Sequence, residues 1–269
     1  MKKYYLLLIY LLSWPIIAAN FNIWPMKVLL WPEHYADNVH ITNNGTAPVN
    51  LQVLAKSWDI DENGKFIETD TGDFVFFPRL LTLPPGASKN IRVGYQGNFP
   101  SLEKPYRLYI EELPPILTVE QQRQRTRMGV QYVLRLSLPL FVMPAETPPT
   151  PELTIDAVKL DRITIPQRRT GARSTSALKI GIRATGTHHV QIEKLELELL
   201  NSAGRIVGRG ETNPHILRIL PKRRVFVDVP LNAGICTRSS TLLATVYVAD
   251  LRIPYKQRIT LTSGSCRMR

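Results

Sequence analysis

Fifteen consecutive residues, Met128–Val142, alternate in a way that only an extended strand can use. The even positions are Met128, Val130, Tyr132, Leu134, Leu136, Leu138, Leu140 and Val142, all apolar; the odd ones, from Gly129 and Gln131 to Pro139 and Phe141, are mixed. Successive side chains of a strand point to opposite faces, so the run makes one continuous apolar stripe. Fully extended it reaches about 50 Å. Strands in globular proteins usually have about 3–10 residues. A sandwich of ordinary size does not cover all of this one, so part of it protrudes along an edge or bends. Pro139 has no N–H to give to a central ladder and predicts an edge or a bulge. An exposed apolar edge is an aggregation hazard unless a partner takes it by strand addition. The plainer alternative is a core strand bent at Pro139 with a frayed start, and the pattern alone leaves both open.

Period-two texture runs through the rest of the chain. Before that run it predicts strands near Asn22–Trp31, Asn38–Asn43, Val49–Trp58, Phe74–Pro78, Lys89–Tyr95 and Tyr106–Leu113. Asn43-Asn44-Gly45, Asp61-Glu62-Asn63-Gly64 and Pro84-Pro85-Gly86 supply turn chemistry between them. Residues 144–151, Pro-Ala-Glu-Thr-Pro-Pro-Thr-Pro, read as a stiff extended linker. Beyond it the texture returns, with strands near Leu153–Leu160, Ala177–Ala184, Val190–Leu199, Arg205–Arg209, His215–Ile219, Val225–Val229, Thr241–Ala249 and Ile253–Leu261. Seven or so short strands per half predict two immunoglobulin-like sandwiches, at 20–143 and 152–269.

The N-terminus sets the compartment. Met1-Lys2-Lys3 is basic, Tyr4–Ile17 is almost wholly apolar, and Ala18-Ala19-Asn20 offers small residues for cleavage. This is the layout of a secretory signal peptide over 1–19. Its apolar run is about 14 residues, short of the roughly 20 that a span needs. Export makes the two cysteines, Cys236 and Cys266, candidates for a disulfide. As metal ligands, 30 residues apart with no histidine nearby, they lack zinc spacing. The formal charge is +12, near +10 once Lys2 and Lys3 leave. The basic clusters are not interleaved with aromatics, and export argues against nucleic acid, leaving acidic proteins or membrane surfaces as possible partners.

No constellation in the chain points to an enzyme. The histidines are His34, His40, His188, His189 and His215, and none stands at a recognised spacing from an acid or nucleophile. His188-His189 follows Gly186-Thr187 and reads as a turn; on a strand the adjacent rings would diverge and could not share a metal. The nucleophile elbow, the phosphate loop and the dinucleotide fingerprint are missing from the sequence. The expectation is therefore no catalytic residue, no metal and no cofactor.

Three segments, taken together, resemble the periplasmic chaperones of the chaperone–usher pathway, the PapD-like superfamily. They are Pro78-Arg79-Leu80-Leu81-Thr82-Leu83-Pro84-Pro85-Gly86 with Asn90-Ile91-Arg92-Val93; Tyr106-Arg107-Leu108-Tyr109-Ile110-Glu111-Glu112-Leu113-Pro114-Pro115; and the alternating run ending Leu140-Phe141-Val142-Met143-Pro144. The likeness covers Asn22–Pro144; the second half matches in size, strand texture and late cysteine pair. It implies two immunoglobulin-like domains joined at an angle, a boomerang, in the periplasm. It implies pilus or fimbrial subunits and an outer-membrane usher as partners, with self-association possible in the free protein and no stable membrane insertion.

The resemblance also implies donor-strand complementation, in which the last strand of the first domain fills the groove of an incomplete subunit. Carried across, the donor residues are Met128, Val130, Tyr132 and Leu134, while Leu136, Leu138 and Leu140 pack at home. The family anchors the subunit's C-terminal carboxylate with basic residues. Its best-known branch has an arginine in the first strand, which falls on Lys27, a lysine late in the donor strand, which falls on Pro139, and an asparagine that falls on Tyr109. These departures resemble the archaic or alternative branch, where a Tyr-Arg pair precedes Glu-Leu-Pro-Pro. Arg107 is then the first anchor and Lys27 the second. The competing readings are an exported adhesive module of two sandwiches and a periplasmic hydrolase on a β scaffold.

Overall fold

Alternating apolar residues between turn signals become strands along almost the whole chain. The computed structural model describes residues 21–114, 133–144, 152–167, 171–214, 217–249, 251–262 and 264–267. The expected leader therefore lies outside the described residues, as do 115–132 and most of the proline-rich link.

In the first half the strands are β1 (Phe21–Trp24), β2 (Val28–Leu30), β3 (Ala36–Asn43), β4 (Val49–Ile60), β5 (Phe66–Asp70), β6 (Phe74–Phe77), β7 (Leu80–Leu83), β8 (Ser88–Tyr95), β9 (Lys104–Glu112) and β10 (Arg135–Val142). They form two sheets, one ordered β1-β3-β8-β6 and the other β2-β10-β9-β4-β5, with β7 on β4. The second half holds β11 (Leu153–Gln167), β12 (Gly171–Ala184), β13 (Val190–Leu200), β14 (Ile206–Thr212), β15 (Leu217–Ile219), β16 (Arg224–Pro230), a four-residue helix α1 (Ala233–Cys236), β17 (Thr241–Val248) and β18 (Tyr255–Thr260). Here the sheets are β11-β12-β16 and β14-β13-β17-β18, with β15 on β13.

The described chain gathers into two compact units. One draws on residues up to Lys56, on Asp70–Gly97 and on Tyr106–Leu140; the other draws on Ser57–Thr69, Asn98–Pro105 and everything from Phe141 onward. Each has its own core, as two-layer β architecture requires. Val39, Ile41, Val53, Ile91, Val93, Leu108 and Leu140 have no exposed surface in the first. Ile180, Ile182, Leu195, Val229, Leu242 and Val246 have none in the second. Both units are immunoglobulin-like β-sandwiches.

Several elements differ from the sequence expectation, each for a local reason. The expected strand Asn22–Trp31 is two strands on different sheets, because Pro25 interrupts it: β1 pairs with β3, and β2 neighbours β10. The short strands β5 and β7 escaped the pattern; β5 is exposed at all five positions and carries no core-facing stripe. β11 and β12 run well past their expected ends as a ribbon, in register to Gln167↔Gly171, although β16 accompanies β12 only over Ala177–Arg183. A two-stranded ribbon has little core to announce it in sequence. The helix α1 is too short for periodicity to show; Asn232 caps it by accepting a bond from the Gly234 N–H.

The turn residues act as their chemistry demands. Gly64 and Gly86 have φ of 81° and 72°, where a side chain would be strained. Cys236, at the end of α1, is bonded to Cys266, with Cα atoms 5.4 Å apart. Asn43 closes β3 from inside the core. Its amide donates to the carbonyls of Ala47 (2.8 Å) and Leu83 (3.0 Å), and its side-chain oxygen accepts from the Gly45 N–H (2.9 Å).

Asn43→Ala therefore leaves buried carbonyls without their donor. It is expected to lower the unfolding free energy of the first unit by about 2–3 kcal/mol. Asn90→Ala, on the exposed face, should change it by less than about 0.5 kcal/mol. Denaturant titration of the two variants reads the difference, and equal effects would contradict the assignment.

Candidate functional site

β9 and β10 lie side by side, and their alternation separates a buried face from an open one. On β9, Tyr106, Leu108 and Ile110 point into the core and are at most 1% exposed. The Tyr106 hydroxyl donates to Asp73 Oδ2 at 2.5 Å, and burial, with this bond, pushes its phenol far above the usual range. Arg107, Tyr109 and Glu111 point the other way, as period two requires.

On β10 the inward stripe fades along the strand. Val142 and Leu140 have no exposed surface and Leu138 has 2%. Leu136, and Leu134 just ahead of the strand, are only half-buried. The apolar stripe thus outruns the covering layer of its own unit before the apolar sequence ends. Sequence order in the sheet corrects one expectation: β10 lies between β2 and β9, so Pro139 is not on a simple edge strand. Because β2 has three residues against eight in β10, it flanks only part of that strand.

The open face of the pair carries polar and aromatic contacts from strand to strand. Arg107 Nη1 donates to Ser137 Oγ at 3.2 Å. The Arg135 guanidinium lies 4.7 Å from the Tyr109 ring centre and donates through Nε to the Glu111 carboxylate. Next to them the Glu112 N–H donates to the Leu134 carbonyl at 2.8 Å, while the Leu134 N–H donates to Glu112 Oε2 at 3.3 Å. Arg135 is the residue that sequence reasoning missed. Its signal was an odd-numbered cation on the same strand face as Ser137, one register step from Arg107.

Of the residues singled out from sequence, Arg107 lies on β9 and Leu134 lies just ahead of β10, bonded to Glu112 of β9. Lys27 is exposed in the break between β1 and β2. Met128, Val130 and Tyr132 lie outside the described residues. Cys236 and Cys266 form their bridge in the second unit, away from β9 and β10 in sequence and in sheet.

The histidines hold one surprise. His189 Nδ1 meets Glu103 Oε1 at 2.7 Å across 86 residues of sequence, a separation no motif spacing would flag. Its ring stacks on Phe141 at 4.7 Å. His188 is 3% exposed; Nδ1 contacts the Thr187 hydroxyl at 2.8 Å, and the buried Nε2 has no hydrogen-bond partner. Burial holds its imidazole below the usual range, with nearby Glu103 working against that shift and His189 reinforcing it. A nucleophile–base–acid chain needs the base oriented by a third group. His188 contacts Thr187 but not Glu103, and Glu103 orients His189 instead, so no triad forms here. Among the described residues the exposed aromatics are spread out: Trp31 (38%) and Tyr35 (57%) lie between β2 and β3, and Phe66 (51%) lies on β5. Trp24 (72% exposed) and Phe77 (79%) sit on β1 and β6, at opposite edges of one sheet.

Residues 20–148 match the family "Pili and flagellar-assembly chaperone, PapD N-terminal domain". Among solved structures, the chain resembles the chaperone–tip adhesion subunit complex CsuC–CsuE from archaic chaperone–usher Csu pili of Acinetobacter baumannii. That likeness has 18% identity and a TM-score of 0.54, and covers 90% of this chain and 99% of the other. The class 5 fimbriae chaperone CfaA aligns at 17% identity and a TM-score of 0.56, covering 90% and 100%. SafB, solved with the SafA pilin of Salmonella enterica, aligns at 10% and 0.52, covering 92% and 99%. At such identities the common property is the fold. No curated protein matches the chain.

The buried His188 also sets a pH dependence. In the unfolded chain its imidazole protonates near pH 6.5, whereas in the fold it does so only at lower pH. Its contribution is therefore fully present above that value and is lost as pH falls toward the folded value. Thermal melts from pH 8 to pH 5 should show a larger loss in the wild type than in His188→Gln. Parallel curves for the two proteins would contradict this.

Proposed function

We propose that this chain, whose residues 20–148 match the pili and flagellar-assembly chaperones with a PapD N-terminal domain, lends the strand Met128–Leu134 to pilus subunits. The observation that carries the reading is the fading stripe on β10. Leu138, Leu140 and Val142 are buried at home, Leu136 and Leu134 are half-buried, and the same alternation continues to Met128 in sequence. A subunit lacking its final strand would supply the missing cover by strand addition.

In this reading Met128, Val130, Tyr132 and Leu134 enter the subunit groove. Their burial contributes roughly 6–12 kcal/mol gross, at about 1.5–3 kcal/mol each, and ordering and association costs offset much of it. The subunit's C-terminal carboxylate is held by Arg107, with Lys27 as the second cation. Lys27, Tyr109 and Pro139, at positions where the best-known branch has arginine, asparagine and lysine, support a place in the archaic or alternative branch. The protein acts in the periplasm after loss of residues 1–19 and passes subunits to an outer-membrane usher. Release needs no nucleotide, because a better-fitting subunit strand replaces the donor strand. The free protein can cover the same strand by self-association.

Co-expression with the pilin-like subunit of the same gene cluster tests the proposal. The subunit should be soluble and co-purify with this protein, and should aggregate or be degraded without it. Arg107→Ala removes a charge-assisted bond worth about 1.5–3 kcal/mol, so affinity should fall at least about tenfold. A subunit equally stable and soluble without this protein would sink the idea.

A further inference from the structure

The point where β10 parts from β9 is built, not frayed. Amides two apart on a strand face the same neighbour. The Glu112 N–H faces β10 and donates to the Leu134 carbonyl, whereas the Leu113 N–H donates to Asn50 on β4. Position 114 would be the next to face β10, but it is proline and has no N–H. No donor from that position can extend the ladder beyond Leu134.

At this last rung the two adjacent glutamates grip β10 by different means. Glu112 takes the Leu134 N–H with its side-chain carboxylate, while its own N–H holds the Leu134 carbonyl. Glu111 takes the guanidinium of Arg135, which also covers the Tyr109 ring. One exposed ion pair contributes little by itself. These contacts share one register, however, and a slip of one residue breaks all of them together. The same slip would turn every side chain of the strand to the opposite face.

We propose that Glu111 and Glu112 form a register clamp on Leu134–Arg135. The clamp fixes which face of the donor strand meets the subunit and marks where the lent part begins. Glu111, Glu112, Tyr109 and Arg135 are positioning residues in this scheme; none is assigned to the groove. The inference rests on the donor-strand reading above for its purpose, but its geometry is testable in the free protein.

Two measurements separate the clamp from that reading. The first is amide exchange on the full-length free protein. Glu111→Arg should lower protection at Arg135–Ser137 at least tenfold, and adding Arg135→Glu should restore it, while the thermal midpoint stays within a few degrees. The second is disulfide capture of Leu134→Cys by cysteines placed one at a time along the groove of the co-expressed pilin-like subunit. Capture should fall at one groove position in the parent, spread over several in Glu111→Arg, and return to one in the charge-swapped pair. Unchanged exchange, or an unchanged single capture position in Glu111→Arg, overturns the clamp. A parent protein that does not hold the subunit overturns the chaperone reading, and the exchange data still decide the clamp.

Discussion

A β-strand can bury an apolar stripe only as far as the opposing layer reaches, and this limit organises the first unit. From Val142 back to Leu138 the stripe of β10 is covered completely, and by Leu134 it is not. Among the described residues the ladder with β9 ends at the same place. Pro114 withholds the next donor, and the Glu112 carboxylate closes the last rung. Loss of cover and loss of ladder coincide within about one turn of the pleat. A strand that loses both at once is either a liability or an instrument. The proposed donor-strand role would make it an instrument.

The fold was largely legible because it depends on alternation. β3, β4, β8, β13, β16 and β17 lie where apolar residues repeat every second position, and the turns at Gly64 and Gly86 lie where the chain offers residues that tolerate positive φ. What alternation does not encode was missed: the switch of sheets at Pro25, the exposed strand β5, the ribbon beyond the third strand, and the short helix α1. Each of these is set by pairing or by a single capping residue, without any stripe.

The site was legible by halves. Arg107 was singled out only through the family resemblance, whereas the stripe could be read directly, since it depends on residue type and parity. Arg135 could not, because its position beside Tyr109 and Glu111 depends on the register between two strands some 24 residues apart. The same is true of Asn43. Its place before Asn44-Gly45 marks a turn, but its bond to the Leu83 carbonyl joins residues 40 positions apart. His189 and Glu103, 86 positions apart, are the extreme case. Sequence shows which side chains share a strand face; it does not show which strand arrives opposite.

The second unit handles its surfaces in the opposite way. On the outer side of β13, β14 and β17 the charges are matched across the strands. Lys194 meets Glu196 at 2.6 Å and Glu211 at 3.0 Å, Arg209 meets Glu198 at 2.9 Å, and the Tyr247 hydroxyl donates to Glu196 at 2.9 Å. The Lys194 bond holds the Glu196 carboxyl below its usual range, with Tyr247 adding to it. Such exposed pairs add little stability, but a surface of satisfied charges offers nothing for a stray strand to join. The bridge from Cys236 to Cys266 then ties α1 to the chain's end. The charge lattice of the second unit thus pairs outward charges on β13, β14 and β17 while contributing little stability.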